Sequence, residues 1–457
     1  AKLPAGLKID PKTGRITGYP TMASVDQELG DAITFTVGNE FGDVKVTTRL
    51  LILPLPYGTK GSYDGLIARG NELGGSTGGR VRITCLGTGS FSGSVTLGTE
   101  VLGFKGILTV APENPTSASG SFDIKPAASS SPLTINFNVT DAGDEDIETS
   151  YIIGKLGETN VFVIARDIWS AGSTAEDYAG YYTFAFDVPI GVGSIPKGHG
   201  FGGVTVDAKG KTVTAGRLPD GSSFTTTSHL GFSGEVLIYQ GLYTTVQKGS
   251  AYGILFLTLG AEGAPNYFWS GSYLNWQRPR DERSTARTYA AGFGPLDLDA
   301  FGGVYEVPGN GEIVMDLPAA SGAPAKNAAL FFEPTLPSDP TPVNADVTLA
   351  IKSGGGSKIN SPNSKGVNIT IKPGTGSFYG SYKTIDNDPR STAAKPPKIT
   401  RTVPYQGMMV RKEGLISGYG FFLRDALPKL ADEASPGTTP KTSPPESGGV
   451  LLEDSSR

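Results

Sequence analysis

Two distant octapeptides in this chain are nearly the same: residues 87–94 read GTGSFSGS and residues 374–381 read GTGSFYGS. Each follows a β-type run, Val81-Arg-Ile-Thr-Cys85 in one place and Val367-Asn-Ile-Thr-Ile371 in the other. Each also precedes an aromatic-x-Gly step, Phe104-Lys-Gly106 and Tyr405-Gln-Gly407. Apolar residues at every second position followed by a glycine-rich turn describe a strand entering a hairpin. The near-identity predicts one folding unit used more than once, and repetition of that kind serves architecture or adhesion more readily than chemistry.

Composition narrows the fold class. The 457 residues include 64 Gly and 33 Pro, which break helices and punctuate short strands. Apolar residues still make up 38% of the chain, enough for real cores and against wholesale disorder. A net charge of −5 with both signs scattered gives no basic stripe for nucleic acid. The single cysteine, Cys85, rules out an intrachain disulfide framework and a thiolate zinc site, and its β-type surroundings predict a small buried hydrophobe. No 18-residue apolar stretch is present, so no transmembrane helix is expected. The start carries no charged and apolar leader; for an exported protein, the expectation is a signal already removed.

Residues 3–20 read LPAGLKIDPKTGRITGYP. Leu7 and Ile9 alternate, Asp10–Gly14 is a turn and Ile16 starts a returning strand. Ile33–Val37 and Val44–Ile52 form a second hairpin around Asn39–Asp43. The motif resembles the Ig-like repeat of bacterial surface proteins, L-P-x-G-L-x-I-D-x-x-T-G-x-I-x-G-x-P. Leu3, Pro4, Gly6, Leu7, Ile9, Asp10, Thr13, Gly14, Ile16, Gly18 and Pro20 all match it. That family places strands before the motif, and here two residues precede it. The expectation is therefore an incomplete sandwich: either the sequence begins inside a domain, or the missing strand comes from elsewhere, such as another copy of the chain.

Leu53-Pro-Leu-Pro56 reads as a stiff linker. Beyond it, strands recur about every ten residues with glycine turns between them. The elements Gly216–Phe224 (G-x-L-x-D-G-x-x-F), Leu242–Gly253 (L-Y-x-x-x-x-x-K-G-S-x-x-G) and Ser270–Pro279 (S-G-x-x-x-W-x-R-P) follow in order. Together they resemble a repeat of very large exported proteins of environmental bacteria, over roughly residues 60–428. The resemblance implies an architecture and an extracellular or cell-surface location, and it brings no catalytic residues. The expected divisions are 1–56, 57–175, 176–290, 291–428 and a Pro/Ser/Thr-rich tail at 429–457. In that tail Val450, Leu451 and Leu452 form a brief apolar patch, read either as a free end or as a strand that docks on an open edge of a neighbouring chain.

Chemical constellations are sparse. His199 and His229, the two histidines, lack a nucleophile elbow and read as structural. Asp141, Asp144 and Asp146 form an acidic loop that is a candidate calcium site, with a solvated turn as the alternative. Tyr267, Trp269, Tyr273 and Trp276 crowd the middle unit and are candidates for stacking on sugar rings, although aromatic residues also pack β cores. Arg278, Arg280, Arg283 and Arg287 read as a solvated loop of mixed charge.

The sequence thus predicts an all-β chain: an N-terminal Ig-like sandwich, incomplete, followed by repeated antiparallel β-barrel or β-sandwich modules. The expected role is a structural or adhesive component of a bacterial cell surface, a fibre subunit that self-assembles by strand exchange, or in the alternative a carbohydrate-binding module. No enzymatic activity is expected, and no cofactor beyond calcium. Expected partners are further copies, other surface proteins or glycans, without nucleic acid or membrane insertion.

Overall fold

The fold is taken from a computed structural model that describes residues 2–70, 72–140, 150–169, 172–189, 195–243, 249–269, 274–280, 289, 291–333, 345–427 and 445–456. Among the described residues the regular elements are β-strands and short 3-10 turns. The chain divides into two compact units, residues 1–168 and 169–457.

The first unit opens with two separate hairpins. β1 (Leu7–Ile9) pairs with β2 (Ile16–Gly18). Asp10 closes their turn: its carboxylate accepts the Lys12 N–H at 2.8 Å and its carbonyl accepts the Gly14 N–H at 2.8 Å. β3 (Asp31–Asn39) pairs with β4 (Gly42–Leu50). The period of two puts Ile33, Phe35, Val37, Val44 and Val46 on one face of this ribbon. Ile33 is buried, whereas Val37, Val44 and Val46 are exposed. The N-terminal module is therefore a pair of ribbons and not a closed sandwich.

Nine strands follow, β5 to β13 (Gly61–Ile67, Gly79–Cys85, Ser90–Leu97, Glu100–Ile107, Thr109–Ala111, Asn114–Ile124, Leu133–Thr140, Tyr151–Leu156 and Thr159–Arg166). They form one antiparallel sheet in the order β8-β7-β6-β5-β13-β12-β11-β10-β9. It curls until β8 approaches β10, where Phe104 stacks on Phe122 with ring centroids 3.6 Å apart. Val81, Ile83, Phe91, Ile135 and Ile152 fill the interior of this first barrel. Cys85 is part of the same core, and burial pushes its thiol up to about 12.

The second unit holds two further barrels. Strands β14 to β23 (Gly180–Asp187, Gly200–Val206, Lys211–Arg217, Ser223–His229, Glu235–Leu242, Gly249–Thr258, Tyr267–Trp269, Leu274–Arg278, Phe293–Asp297 and Asp299–Val304) make a ten-stranded sheet. Its ends meet at β17 and β18, where the Thr226 hydroxyl accepts the Tyr239 N–H and donates to the Tyr239 carbonyl, both at 3.2 Å. Strands β24 to β31 (Ala328–Phe332, Val347–Ile351, Ser357–Ile359, Asn368–Lys372, Ser377–Asn387, Lys398–Lys412, Leu415–Asp425 and Pro445–Asp454) make an eight-stranded sheet in the order β26-β25-β24-β31-β30-β29-β28-β27.

This topology corrects two expected boundaries. The second barrel runs on to Val304, past residue 290, because β14 pairs with β23. The end of the chain is no free tail: β31 lies inside the third sheet, hydrogen-bonded to β24 on one side and β30 on the other. Val450 and Leu452 are fully buried there, so the strand expected to dock on a neighbouring chain completes its own barrel.

One contact recurs through all three barrels: an inward aromatic ring lies over the glycine directly opposite on the next strand. The two octapeptides show it in matching form. Phe91 faces Gly106 and Phe104 faces Gly93, as Phe378 faces Gly407 and Tyr405 faces Gly380. The second barrel repeats it with Phe184 over Gly202 and Phe224 over Gly216. A methyl group on Gly407 would sit 2.3 Å from Phe378 Cζ, and one on Gly106 would sit 2.4 Å from Phe91 Cζ. The glycine is needed for close approach, and the ring replaces the packing that a glycine strand lacks. Gly407→Ala should destabilise the chain by about 1–3 kcal/mol through overpacking. Gly103→Ala, whose new methyl would meet nothing nearer than the Gly93 carbonyl oxygen at 4.0 Å, should stay within about 0.5 kcal/mol of the parent. Equal denaturation midpoints for the two variants would show that the ring-on-glycine contact carries no special constraint.

Candidate functional site

In the second barrel, residues from the three sequence elements Gly216–Phe224, Leu242–Gly253 and Ser270–Pro279 converge. Asp220 lies in the turn after β16, Tyr243 follows β18, and Trp276 and Arg278 lie on β21. The Asp220 carboxylate, 1% exposed, accepts the Tyr243 hydroxyl at 2.6 Å and the Ser222 N–H at 2.9 Å. The Trp276 indole N–H donates to the Tyr243 oxygen at 2.9 Å. The Arg278 guanidinium lies 4.7 Å from the Tyr243 ring centre and reaches Asp220 at 3.5 Å. Tyr243 holds a positive φ of 60°, a backbone state that costs energy unless its surroundings fix it.

Chemically this cluster is a lock. Burial, the charge of Asp220 and the hydrogen bond to it hold the Tyr243 phenol well above its ordinary value, so it neither gives nor takes a proton near neutrality. Arg278, expected on a solvated loop, instead has a side chain only 15% exposed. Each of the other barrels has a comparable pair: Arg80 grips Asp64 through two nitrogens in the first, and Arg401 meets Asp386 at 2.6 Å in the third. Buried pairs of this kind make removal of one partner costly while adding little net stability.

The predicted sugar-stacking residues separate. Trp276 is fully buried, against Phe293 with ring centroids 4.5 Å apart, which removes it from any surface. Tyr267 and Trp269 sit two residues apart on β20, 48% and 42% exposed. Trp269 stacks on Phe256 at 4.8 Å and its indole N–H donates to Thr258 at 3.1 Å. Tyr273 and the calcium candidates Asp141, Asp144 and Asp146 lie outside the described residues. Among the described residues no group of three acidic, histidine or cysteine side chains is placed to hold a metal ion.

Two barrels meet within the second unit. Ala185 and Phe201 of one pack against Met408, Val410 and Phe421 of the other. The Thr183 hydroxyl donates to the Met409 carbonyl at 2.7 Å, and the Ser447 hydroxyl accepts the Lys197 N–H at 2.7 Å and pairs with the Tyr289 hydroxyl at 2.8 Å. His199 belongs here: its Nδ1 lies 2.7 Å from Asp187, its ring meets Tyr419 edge-on, and its backbone N–H donates to Gly420 O. His229 ends β17, opposite Lys211.

A further feature lies in the first unit. A groove of about 1080 Å³ runs beside the Leu53–Pro56 segment and reaches the first octapeptide at Gly87, Thr88 and Gly89. Exposed Ile16, Tyr19, Met22, Leu51 and Tyr57 gather along it, and its charged lining residues are Lys60 and Arg166. No protein-family model, curated protein or solved structure matches the chain. The site must be read on its own geometry. Sequence reading missed the lock residues Asp220, Tyr243 and Arg278 as a cluster, although their motif spacing was visible. It also missed the groove, because nothing local marks Tyr19 or Met22 as exposed.

The buried phenols give a pH test. Burial pushes Tyr289 and Tyr305 up to about 12 and raises Tyr243, Tyr382 and Tyr405 as well. A folded value above the unfolded value of about 10 means stability that is whole below pH 10 and lost as pH climbs through 12. Tyrosinate absorbance should therefore rise first for exposed tyrosines near pH 10 and lag for the buried ones until β-structure is lost. A single reversible titration of all 18 tyrosines near pH 10 would contradict the burial described here.

Proposed function

We propose that this chain is a structural or adhesive component of a bacterial cell surface. The observation that carries the reading is the reuse of one hairpin. The Thr88 and Ser90 hydroxyls meet at 2.9 Å in the first copy and Thr375 and Ser377 at 2.9 Å in the second. The Leu108 N–H donates to Gly89 O and the Met409 N–H to Gly376 O, each at 2.7 Å. The same local solution, spent twice on building a barrel, is what a modular scaffold requires. The buried arginine–aspartate pairs and the Tyr243 lock support the same reading, since they spend polar chemistry on rigidity. The resemblance of residues 3–20 to surface-protein repeats supports a surface location. Fibre formation by strand exchange loses its proposed donor, because β31 is engaged in its own sheet.

Antibodies raised against the chain should label intact cells of its source bacterium to the same extent as lysed cells. Labelling that appears only after lysis would refute a surface location.

A second reading, carbohydrate binding, is favoured by the Tyr267–Trp269 platform alone. Neighbouring exposed rings on one sheet face suit the apolar faces of sugars. Trp269→Ala should weaken retention on a polysaccharide column at least tenfold while leaving the melting temperature within a few degrees. Unchanged retention, or none by the parent chain, removes this reading.

A further inference from the structure

The two octapeptide turns share seven of eight residues, the hydroxyl pair and the bond to the glycine carbonyl, but the Gly89 N–H donates to Leu86 O and the Gly376 N–H to Lys372 O, and their surroundings differ. In the third barrel the turn is capped by tyrosines. The Tyr305 hydroxyl donates to Pro373 O at 2.5 Å and the Tyr181 hydroxyl donates to Thr375 O at 3.1 Å. The Tyr305 ring lies so close over Gly376 that a β-carbon there would meet it at 2.7 Å. Tyr181 and Tyr305 also pack edge to face, 6.0 Å apart.

At the matching Gly89 of the first barrel, a β-carbon would meet only the Leu108 carbonyl oxygen, at 3.8 Å. That turn borders the open groove. The preceding Leu86, the counterpart of Pro373, is 51% exposed. The groove wall suits an aromatic ring: Tyr19 and Tyr57 stand along it with Pro20, Pro54 and Pro56. Prolines 54 and 56 lack N–H groups, so this wall cannot pair in register with an added strand, and side-chain capture is the mode left.

Charge points to the kind of partner. The groove lining holds Lys60 and Arg166 and no acidic residue. Lys60 is exposed. Arg166 donates through one nitrogen to Lys60 O at 2.7 Å, while its Nε and second terminal nitrogen are enclosed with no hydrogen-bond acceptor.

We infer that this groove docks a tyrosine side chain carried by an acidic polypeptide segment. The ring covers Gly89 as Tyr305 covers Gly376, its hydroxyl donates to a carbonyl of the Leu86–Thr88 turn, and a neighbouring carboxylate faces Lys60 and Arg166. Tyrosine suits such a place because it combines a large apolar face with one directional donor. The inference rests on the first unit alone and stands apart from the cellular location of the chain.

The test uses the full chain and a fluorescently labelled peptide, Glu-Glu-Tyr-Glu-Pro, followed by anisotropy at low salt. Saturable binding is expected. Replacing the peptide tyrosine by phenylalanine should weaken it about tenfold, the size of one hydrogen bond lost. Replacing its glutamates by lysines should abolish it, and raising salt should weaken it. On the protein, Lys60→Glu and Tyr19→Ser should each weaken binding at least fivefold; both positions are exposed, so the fold is retained. Absence of binding, equal affinity for the phenylalanine peptide, or indifference to Lys60→Glu each overturns the inference. Displacement of the peptide by dodecanoate but not by the same peptide without its label would assign the groove to an amphiphile and overturn it as well.

Discussion

An aromatic ring lying across a glycine of the next strand is the contact from which most of this structure follows. It lets two β backbones and a large side chain share a space that a side chain on both strands would overfill. Each such pair fixes register, because sliding the strand by one residue would bring a side chain under the ring. Phe91 with Gly106 and Phe378 with Gly407 hold the two octapeptide hairpins in the same register. Glycine in a strand is ordinarily a weakness. Here it is matched, strand by strand, with a ring that covers it.

Polar residues inside the barrels follow a related logic. Asp64, Asp220 and Asp386 are each held by an arginine in a barrel wall, and Asp220 also orients Tyr243 and through it Trp276. The apolar interiors could be filled in several ways by Val, Ile and Phe. A carboxylate that must meet its arginine and a phenol admits far fewer arrangements. The network links the turn after β16 to β18 and β21, which the sheet ladder alone does not join directly.

What was legible in the sequence was local. The octapeptides, the Asp10–Gly14 turn and the alternation in Ile33–Val37 could be read because their causes lie within a few residues. The all-β class followed from glycine and proline frequency. Val450–Leu452 could not be placed, since the run before it is rich in Pro, Ser and Thr and its partners, Phe331 and Tyr419 among them, lie far back in the chain. Trp276 could be read as packing a core or as stacking on a sugar, because tryptophan in a strand has the same local signature whether it faces in or out. Arg278 looked solvated for the same reason: the Tyr243 ring that receives it is 35 positions away, and only the closed barrel brings them together.

The position of β31 has a consequence for how the molecule is made. The third sheet has its last strand between β24 and β30, so every earlier strand of that barrel waits for it. Until Asp454 has left the ribosome, the Phe332 edge on one side and the Phe422 edge on the other have no partner. The first barrel is arranged in the same way, with β13 between β5 and β12, and it closes once Arg166 has emerged. The chain therefore has a built-in order of maturation, in which β31, made after the other strands of its barrel, decides when that part of the second unit becomes resistant to unfolding and proteolysis. Any machinery that must handle the polypeptide in an unfolded form can engage that barrel until β31 has been made.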